Sequence, residues 1–475
     1  MKDTVPLIVD LDGSLLCSDL LLESGMAFMR QKPLRCWQPL LWLREGKARL
    51  KEKLADSVRL DVSTLPYDPD VLAFLQEEKA RGRILVLATA SHRLQADAVA
   101  QHLQLFDEVL ATEHGHNLSA ENKRDALVAR FGEQGFDYIG NSSDDLPVWR
   151  VARKALLVKP SAQLLQQAQR YSNVDRVFGG SSSSIREWLK AIRLHQWLKN
   201  LLIFVPLLAA QQVFNGAALW HAMVAFLAFG LTASSVYLLN DLLDLADDRQ
   251  HPSKCRRPFA AGTLPLLSGL MVIPLLLLGS AGLTALFLPW KFMAVLLTYY
   301  GLTLLYSFKL KRHSSIDVIS LAALYTLRII AGAAALALPL TFWILAFSMF
   351  LFLSLALVKR YAELHEAFAR NELGQTRGRG YFPDDMPIIA TLGIAAGYLS
   401  VLVLALYVHD LEASTLYTWT QSLWLTCPLL LLWITRIWLL THRGQMHEDP
   451  VVFAARDSFS GLIAVLFLLA FWVAV

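Results

Sequence analysis

The chain has 475 residues, 55% of them hydrophobic, with 13 Trp and a mean hydropathy of +0.41, which excludes both an ordinary soluble globular protein and a disordered one. A net charge of +4 decides nothing by itself, and no nucleic-acid partner is expected. The four cysteines, Cys17, Cys36, Cys255 and Cys427, form no CxxC pair, so neither a disulfide framework nor a zinc site is indicated and a reducing compartment fits.

Residues 1 to about 178 are mixed and charged; from about 197 onward nearly every 20-residue window is apolar enough to span a bilayer. The opening "MKDTVPLIVDLDGS" has too short an apolar run, and too many carboxylates, for a signal peptide, so the N-terminal domain is expected in the cytoplasm. Within it "VPLIVDLDGSLL" predicts a strand ending at Asp10-Leu11-Asp12-Gly13-Ser14, and "RILVLATAS" a strand ending at Thr89. "FDYIGNSSDDLPVW" predicts a third, followed by Asn141 and Asp145, with Lys123 in "ENKRDAL" before it. Ligands of open α/β sheets gather at the carboxyl ends of such strands. Residues 20–65 form a helical insert whose amphipathic part, "LRCWQPLLWLR", is expected in the core rather than on a bilayer.

The order and spacing of these motifs resemble the haloacid dehalogenase superfamily of aspartyl phosphatases over about residues 1–160. The resemblance implies an α/β Rossmannoid sheet with a helical cap. It also implies Asp10 as the nucleophile, Asp12 as general acid/base, Thr89 and Lys123 as phosphate ligands, and Asp10, Asp12 and Asp145 about Mg²⁺. Where most active members carry an aspartate this chain has Asn141, which leaves open both a weaker metal site and a degenerate phosphatase.

The flexible tract "GGSSSS", Gly179 to Ser184, opens a linker expected over 179–190, ahead of an all-α polytopic membrane domain over 191–475. Nine spans are predicted, centred near residues 205, 228, 276, 299, 328, 350, 398, 430 and 466. With the N-terminal domain inside, the inner loops carry Arg249, Lys254, Arg256 and Arg257; then Lys309, Lys311 and Arg312; then Lys359, Arg360, Arg370, Arg377 and Arg379. Outer loops offer little but Lys291, as the positive-inside rule requires of a multi-pass protein of the cytoplasmic membrane.

Topology does not explain the carboxylates of "YLLNDLLDLADDRQHPSKCRRP", which include Asp241. Asn240, Asp244 and Asp248 recur every four residues, drifting about 40° per step around a helix, so three oxygen ligands share one face. That suits Mg²⁺, which takes one or two carboxylates together with substrate phosphates, and His251, Lys254, Arg256 and Arg257 would meet those phosphates. The stretch resembles the first aspartate-rich motif of the UbiA superfamily of intramembrane prenyltransferases, over about residues 190–475.

Aromatic prenyltransferases of that superfamily carry a second aspartate-rich motif; here the corresponding loop holds only Asp317, beside Tyr306, Lys309, Lys311 and Arg312, with Arg328 deeper in the same helix. "RLHQWLKNLLIFVP", with Gln196, Trp197, Lys199 and Asn200, together with "YSFKLK" and "LVKRYAEL", resembles the decaprenyl-phosphate phosphoribosyltransferase branch. That resemblance implies phosphoribosyl pyrophosphate and a polyprenyl phosphate as substrates. Lys199, Lys254, Arg257, Tyr306, Lys309, Asp317, Arg328, Lys359 and Arg360 are then the candidate substrate ligands, and Asn240, Asp241, Asp244 and Asp248 the catalytic set. An aromatic prenyltransferase and a lipid or ion transporter are the alternatives. Prenyl chain length and oligomeric state are not readable from the sequence.

Overall fold

A computed structural model describes residues 5–113, 118–179, 184–371, 374, 379–411, 419–446 and 449–474. Residues 180–183 of the GGSSSS tract and Arg377 fall outside the described residues. Two compact units emerge: Met1–Ile192 with Tyr237–Ile273, and Arg193–Val236 with Pro274–Val475.

The first unit is built on six strands: β1 (Leu7–Val9), β2 (Leu85–His92), β3 (Glu108–Thr112), β4 (Asp137–Gly140), β5 (Lys154–Val158) and β6 (Val174–Phe178). They lie in the order β3-β2-β1-β4-β5-β6, every pair parallel. Parallel strands covered on both faces need apolar side chains at successive positions, and the runs in β1, β2 and β5 supply them. Alternation then splits the core in two: Leu7, Val9, Leu87 and Ile139 pack on one face, Ile8, Val86, Tyr138 and Leu157 on the other. Strand order reverses about β1, so the ends of β1, β2 and β4 frame the crevice in which such sheets bind ligands.

The insert after β1 is the expected helical cap. Asp19 caps the helix Leu20–Gln31 by accepting from Leu22 N at 3.1 Å. Phe28, Leu50, Leu54 and Val58 form a small core with the helix Lys47–Ser57. The placing of "LRCWQPLLWLR" in the core is corrected here: Leu34, Trp37, Leu40, Leu41 and Leu43 are exposed, and only Trp42 turns inward, edge-on to Phe28 at 5.3 Å. The reason is length. The helix Gln38–Arg44 has seven residues, too few to bury a full apolar stripe once the cap core is filled. Ile185–Ala191, within the expected linker, is helical.

Among the described residues seven helices are long and apolar enough to cross a membrane, or eight if the bent pair Pro450–Arg456 and Ser458–Ala474, which meet at 82°, counts as one span. This is fewer than the nine expected. The stretch near residue 205 is instead a 3₁₀ helix, Leu194–Phe204, running into the short helix Val205–Ala209. Helices pack through small and hydroxylic residues, as lipid-embedded helices do: Thr232 and Ser280 hydroxyls lie 2.8 Å apart, and a Cβ at Gly393 would meet Trp438 at 2.1 Å.

Candidate functional site

Three polar clusters occur where the sequence placed its candidates. The first stands at the carboxyl ends of β1, β2 and β4. Asp10 accepts from Lys123 Nζ at 2.7 Å through one carboxylate oxygen and from Ser14 Oγ at 3.1 Å through the other. Lys123, almost fully buried, also donates to Tyr138 Oη at 2.9 Å and lies 3.7 Å from Asp145. Asp145 accepts from Tyr138 Oη at 2.7 Å, and from the backbone N–H of Asn141 and Ser142 at 3.0 Å each, so it braces Lys123 and the turn after β4. Asp12 accepts from Leu20 N at 2.8 Å, Ser91 Oγ at 2.6 Å and Thr89 Oγ1 at 3.5 Å.

Burial dominates the electrostatics. It pushes Asp10 up to about 6, against the pull of Lys123, and Asp12 up to about 7, where Asp19 adds to it. Burial pulls Lys123 down, but Asp10 and Asp145 more than offset it and hold the ammonium above the ordinary lysine value. Asp12 is thus a partly buried acid that changes protonation near neutrality, which suits the general acid/base role expected of it. The backbone is shaped around Asn141: Gly13 has φ +74°, and a Cβ there would stand 2.1 Å from Asn141 Nδ2. Asn141 Oδ1 and Asp10 Oδ2 converge on the single hydroxyl of Ser14, at 3.3 and 3.1 Å. Two hard oxygens aimed at one point fit Mg²⁺, although among the described residues no three His, Cys, Asp or Glu side chains form a ligand set.

The second cluster is the acidic segment. The span Gly216–Leu243 ends at Asp244, whose backbone leaves helical geometry, and Leu245–Gln250 resumes the helix. The four-residue spacing survives the break: Asp244 N donates to Asn240 O at 2.9 Å and Asp248 N to Asp244 O at 2.8 Å. The carboxylates nevertheless divide. Asp241 and Asp248, both buried, converge on Arg257 Nη1 at 3.1 and 2.6 Å, whereas Arg30 of the cap helix pairs with Asp247 and lies 3.8 Å from Asp244. Burial raises Asp248 to about 6 even beside Arg257. Carboxylates already closing on one cationic centre offer the donor chemistry that Mg²⁺ takes. Lys254 is half-buried and in no ion pair among the described residues.

The third cluster lies among the helices of the second unit. Arg328, 4% exposed, donates to Asn200 Oδ1 at 3.1 Å, Tyr299 Oη at 3.2 Å and Leu324 O at 2.6 Å, and its guanidinium sits within 5.5 Å of the ring centres of Phe229, Tyr299 and Tyr325. Lys199 and Lys359 both reach Asp449, at 2.7 and 3.3 Å, and Tyr325 Oη donates to the same carboxylate. Asp449 was not anticipated; a carboxylate between two apolar runs, immediately before Pro450, was the signal available. Asp317 is fully buried and pairs with Arg360 and with Tyr306 Oη, the latter at 2.8 Å, while Arg360 also holds Glu363. Lys309 is exposed and outside these pairs. Beside this cluster an apolar cavity of about 560 Å³ is lined by Leu202, Ile329, Phe347, Phe352, Trp433 and Phe467, among others.

Residues 201–463 match the UbiA prenyltransferase family, and residues 7–150 match the haloacid dehalogenase-like hydrolases. Over 470 residues the chain is 36% identical to the uncharacterized protein y4nM of Sinorhizobium fredii, covering 98% of this chain and 90% of that one. It is 37% identical over 284 residues to nodulation protein NoeC of Azorhizobium caulinodans, covering 59% and 90%. Decaprenyl-phosphate phosphoribosyltransferase of Mycobacterium tuberculosis is 37% identical over 190 residues, covering 38% of this chain and 60% of that one.

Proposed function

Because the chain belongs to the UbiA prenyltransferase family and carries an N-terminal haloacid dehalogenase-like domain, we propose that it joins two reactions on one lipid. The division assigns residues 1–178 to a phosphatase, 179–190 to the linker and 191–475 to a transferase. The first reaction moves 5-phosphoribose from phosphoribosyl pyrophosphate to a polyprenyl phosphate. A lipid phosphate oxygen bonds to the anomeric carbon while the bond from that carbon to pyrophosphate breaks, the electron pair leaving with pyrophosphate.

Asn240, Asp244 and Asp248 would hold Mg²⁺, which when bound neutralises charge on a departing pyrophosphate, and Asp241 completes the catalytic set beside them. Lys254 and the outward donors of Arg257 bind that anion. Arg328, Lys199 and Lys359, each oriented by fixed partners, supply positive charge for the remaining phosphates, with exposed Lys309. Arg360 and Asp317 satisfy one another and position Tyr306. The apolar cavity suits a polyprenyl tail.

The observation that favours this chemistry over a prenyl-diphosphate donor is the state of Asp317. It is the lone carboxylate of its loop and is fully buried against Arg360 and Tyr306, so that loop offers no group of carboxylates from which a second metal clamp could be built. The names borne by the mycobacterial relatives agree with this reading.

The second reaction removes the 5-phosphate. Asp10 attacks phosphorus, the bond to the ribose oxygen breaks, and Asp12 gives that oxygen its proton. Asp12 then takes a proton from the water that hydrolyses the aspartyl phosphate, releasing inorganic phosphate. Thr89 and Lys123 hold the phosphoryl oxygens, and Asp10 and Asp12 with Asn141 are the donors available to Mg²⁺; Asp145, expected beside them as a metal ligand, instead faces Lys123, Tyr138 and the turn after β4.

The basic loops support a cytoplasmic membrane location with the soluble domain inside. Leu194–Ala209 also crosses in this reading. Eleven 3₁₀ residues at about 2.0 Å and five α residues at about 1.5 Å reach roughly 30 Å, the hydrocarbon thickness. Purified protein supplied with phosphoribosyl pyrophosphate and polyprenyl phosphate should form ribosylated lipid and free phosphate, and Asp10→Asn should stop at the phosphorylated lipid. Turnover only with a prenyl diphosphate and an aromatic acceptor would overturn the assignment.

A further inference from the structure

The cap segment Pro33–Arg44 turns outward what a soluble cap would hide. Leu34 is 92% exposed, Leu40 68% and Trp37 53%, with Leu41 and Leu43 also exposed. Five exposed large apolar side chains within ten residues are a local concentration, unlike the single scattered ones normal on a soluble surface. The charges within it have one sign, and the first carboxylate after it, exposed Glu45, lies 3.6 Å from Arg49. From Arg30 to Arg44 the sequence holds Arg30, Lys32, Arg35 and Arg44 and no carboxylate. Arg35, Arg44 and Lys47 are exposed and in no ion pair among the described residues. Aromatic and leucine side chains ringed by cations are the composition of a helix lying in a headgroup layer that contains anionic lipid.

Position agrees with composition. Arg30, in the last turn of the preceding helix, pairs with Asp247 and lies 3.8 Å from Asp244, the residue that follows the end of the span Gly216–Leu243. Four residues separate Arg30 from Leu34, a reach of at most about 14 Å. The patch therefore starts close to the level at which that span leaves the hydrocarbon, given the membrane character of the family.

We propose that Pro33–Arg44 is a membrane-surface anchor of the soluble domain, with Leu34, Trp37 and Leu40 among the acyl chains and Arg35, Arg44 and Lys47 on phosphate groups of anionic lipids. The anchor is independent of which reaction the domain catalyses.

Cys36 sits within the patch and is exposed, so a label can be placed there without disturbing it. The full chain, with Cys17, Cys255 and Cys427 replaced by Ser and a nitrobenzoxadiazole dye on Cys36, is reconstituted in phosphatidylcholine–phosphatidylglycerol nanodiscs. Blue-shifted emission, quenching by doxyl-labelled lipid and protection from iodide are expected, and Leu34→Glu with Leu40→Glu should lose all three. Iodide quenching equal to that of the free dye overturns the proposal. So does a blue shift without doxyl quenching, which would show a second copy or another protein segment over the patch. Hydrogen exchange guards against an effect of the cysteine replacements: in the wild-type chain, amides 34–44 should exchange more slowly than in the double Glu variant in the same discs, and equal rates would refute the anchor.

Discussion

Glu23 and Arg249, 226 positions apart, form a buried two-point ion pair: Arg249 Nη1 lies 3.1 Å from Glu23 Oε2, Nη2 donates to Oε1, and the side chains are 5% and 7% exposed. Ser18 Oγ donates to the same Glu23 oxygen, and Ala260 O accepts from Arg249 Nε at 3.0 Å, so both charges are satisfied. The pair fastens the first cap helix to the acidic segment that follows the span Gly216–Leu243. Gly262 permits the same approach: with φ +69° it carries no side chain where a Cβ would stand 2.5 Å from Cys17 Cβ.

Residues in contact lie on one face of a membrane. If Gly216–Leu243 crosses once, the chain between Ile192 and Gly216 crosses too, through Leu194–Ala209. In a background without the native cysteines, Lys190→Cys should react with an impermeant thiol reagent only from the cytoplasmic face and Phe214→Cys only from the opposite one. Labelling of both from one face would remove the crossing.

Breaking the pair strands a charge. Glu23→Ala should destabilise the soluble domain by roughly 3–5 kcal/mol, the usual cost of removing one member of a buried ion pair, and Glu23→Leu combined with Arg249→Met should recover most of it. Thermal unfolding of the purified chain reads both, and a single-variant loss below about 1 kcal/mol would assign the contact the modest weight of a surface pair.

Asp244→Ala and Asp248→Ala should each leave less than a tenth of the lipid transfer rate, a barrier increase above about 1.4 kcal/mol, while the chain still elutes as folded protein in detergent. Mg²⁺ titration of the remaining activity should shift to higher concentration in both. Unchanged transfer in either variant would take that carboxylate out of the site.

Arg328→Lys should lose transfer nearly as fully as Arg328→Ala. An ammonium cannot donate in the fixed fork that reaches Asn200 and Tyr299, nor stack flat among Phe229, Tyr299 and Tyr325. Rates of the two variants against wild type at saturating substrates are the measurement; full activity in the lysine variant would make the guanidinium geometry irrelevant.

Asp12 sets a pH dependence with a definite sign. Burial and Asp19 raise it from the ordinary 3.8 to about 7, so the folded state binds a proton that the unfolded state has lost between those values. Its stabilising contribution is full below pH 3.8 and disappears as pH rises through about 7. In EDTA, the melting temperature of the soluble domain should therefore fall from pH 5 to pH 8, and less so in Asp12→Asn. Equal slopes in the two proteins would locate the titration elsewhere.

Much of this architecture is legible from local patterns. The strands at Leu7, Leu85 and Asp137 announce themselves as short apolar runs, and the resemblance of their motifs to a known superfamily pointed to Asp10, Asp12, Thr89, Lys123 and Asp145, although Lys123 stands on a helix and Thr89 lies inside its strand rather than at its end. The spacing of Asn240, Asp244 and Asp248 is a helix property and persists through the break at Asp244. Span number was less secure, because hydropathy measures composition and not helix type: Leu194–Phe204 has the apolar content of a span but winds as 3₁₀ helix. The cap segment failed for a related reason, since an amphipathic run does not say whether protein or lipid covers its apolar side.

The sequence by itself determined an α/β part built on a parallel sheet and a helical, apolar part with candidate membrane spans, together with the residue types of the candidate sites. Those properties rest on periodicity and on residue type, which act over a few neighbouring positions. Only the tertiary structure decided which opposite charge each of these side chains meets. Arg360 is taken by Asp317, Lys199 by Asp449, Arg257 by Asp241 and Asp248, and Arg249 by Glu23. The partners lie from 9 to 250 positions apart. In a low-dielectric interior an ion must be matched by whichever opposite charge the fold brings within about 3 Å, and separation along the chain does not enter that energy.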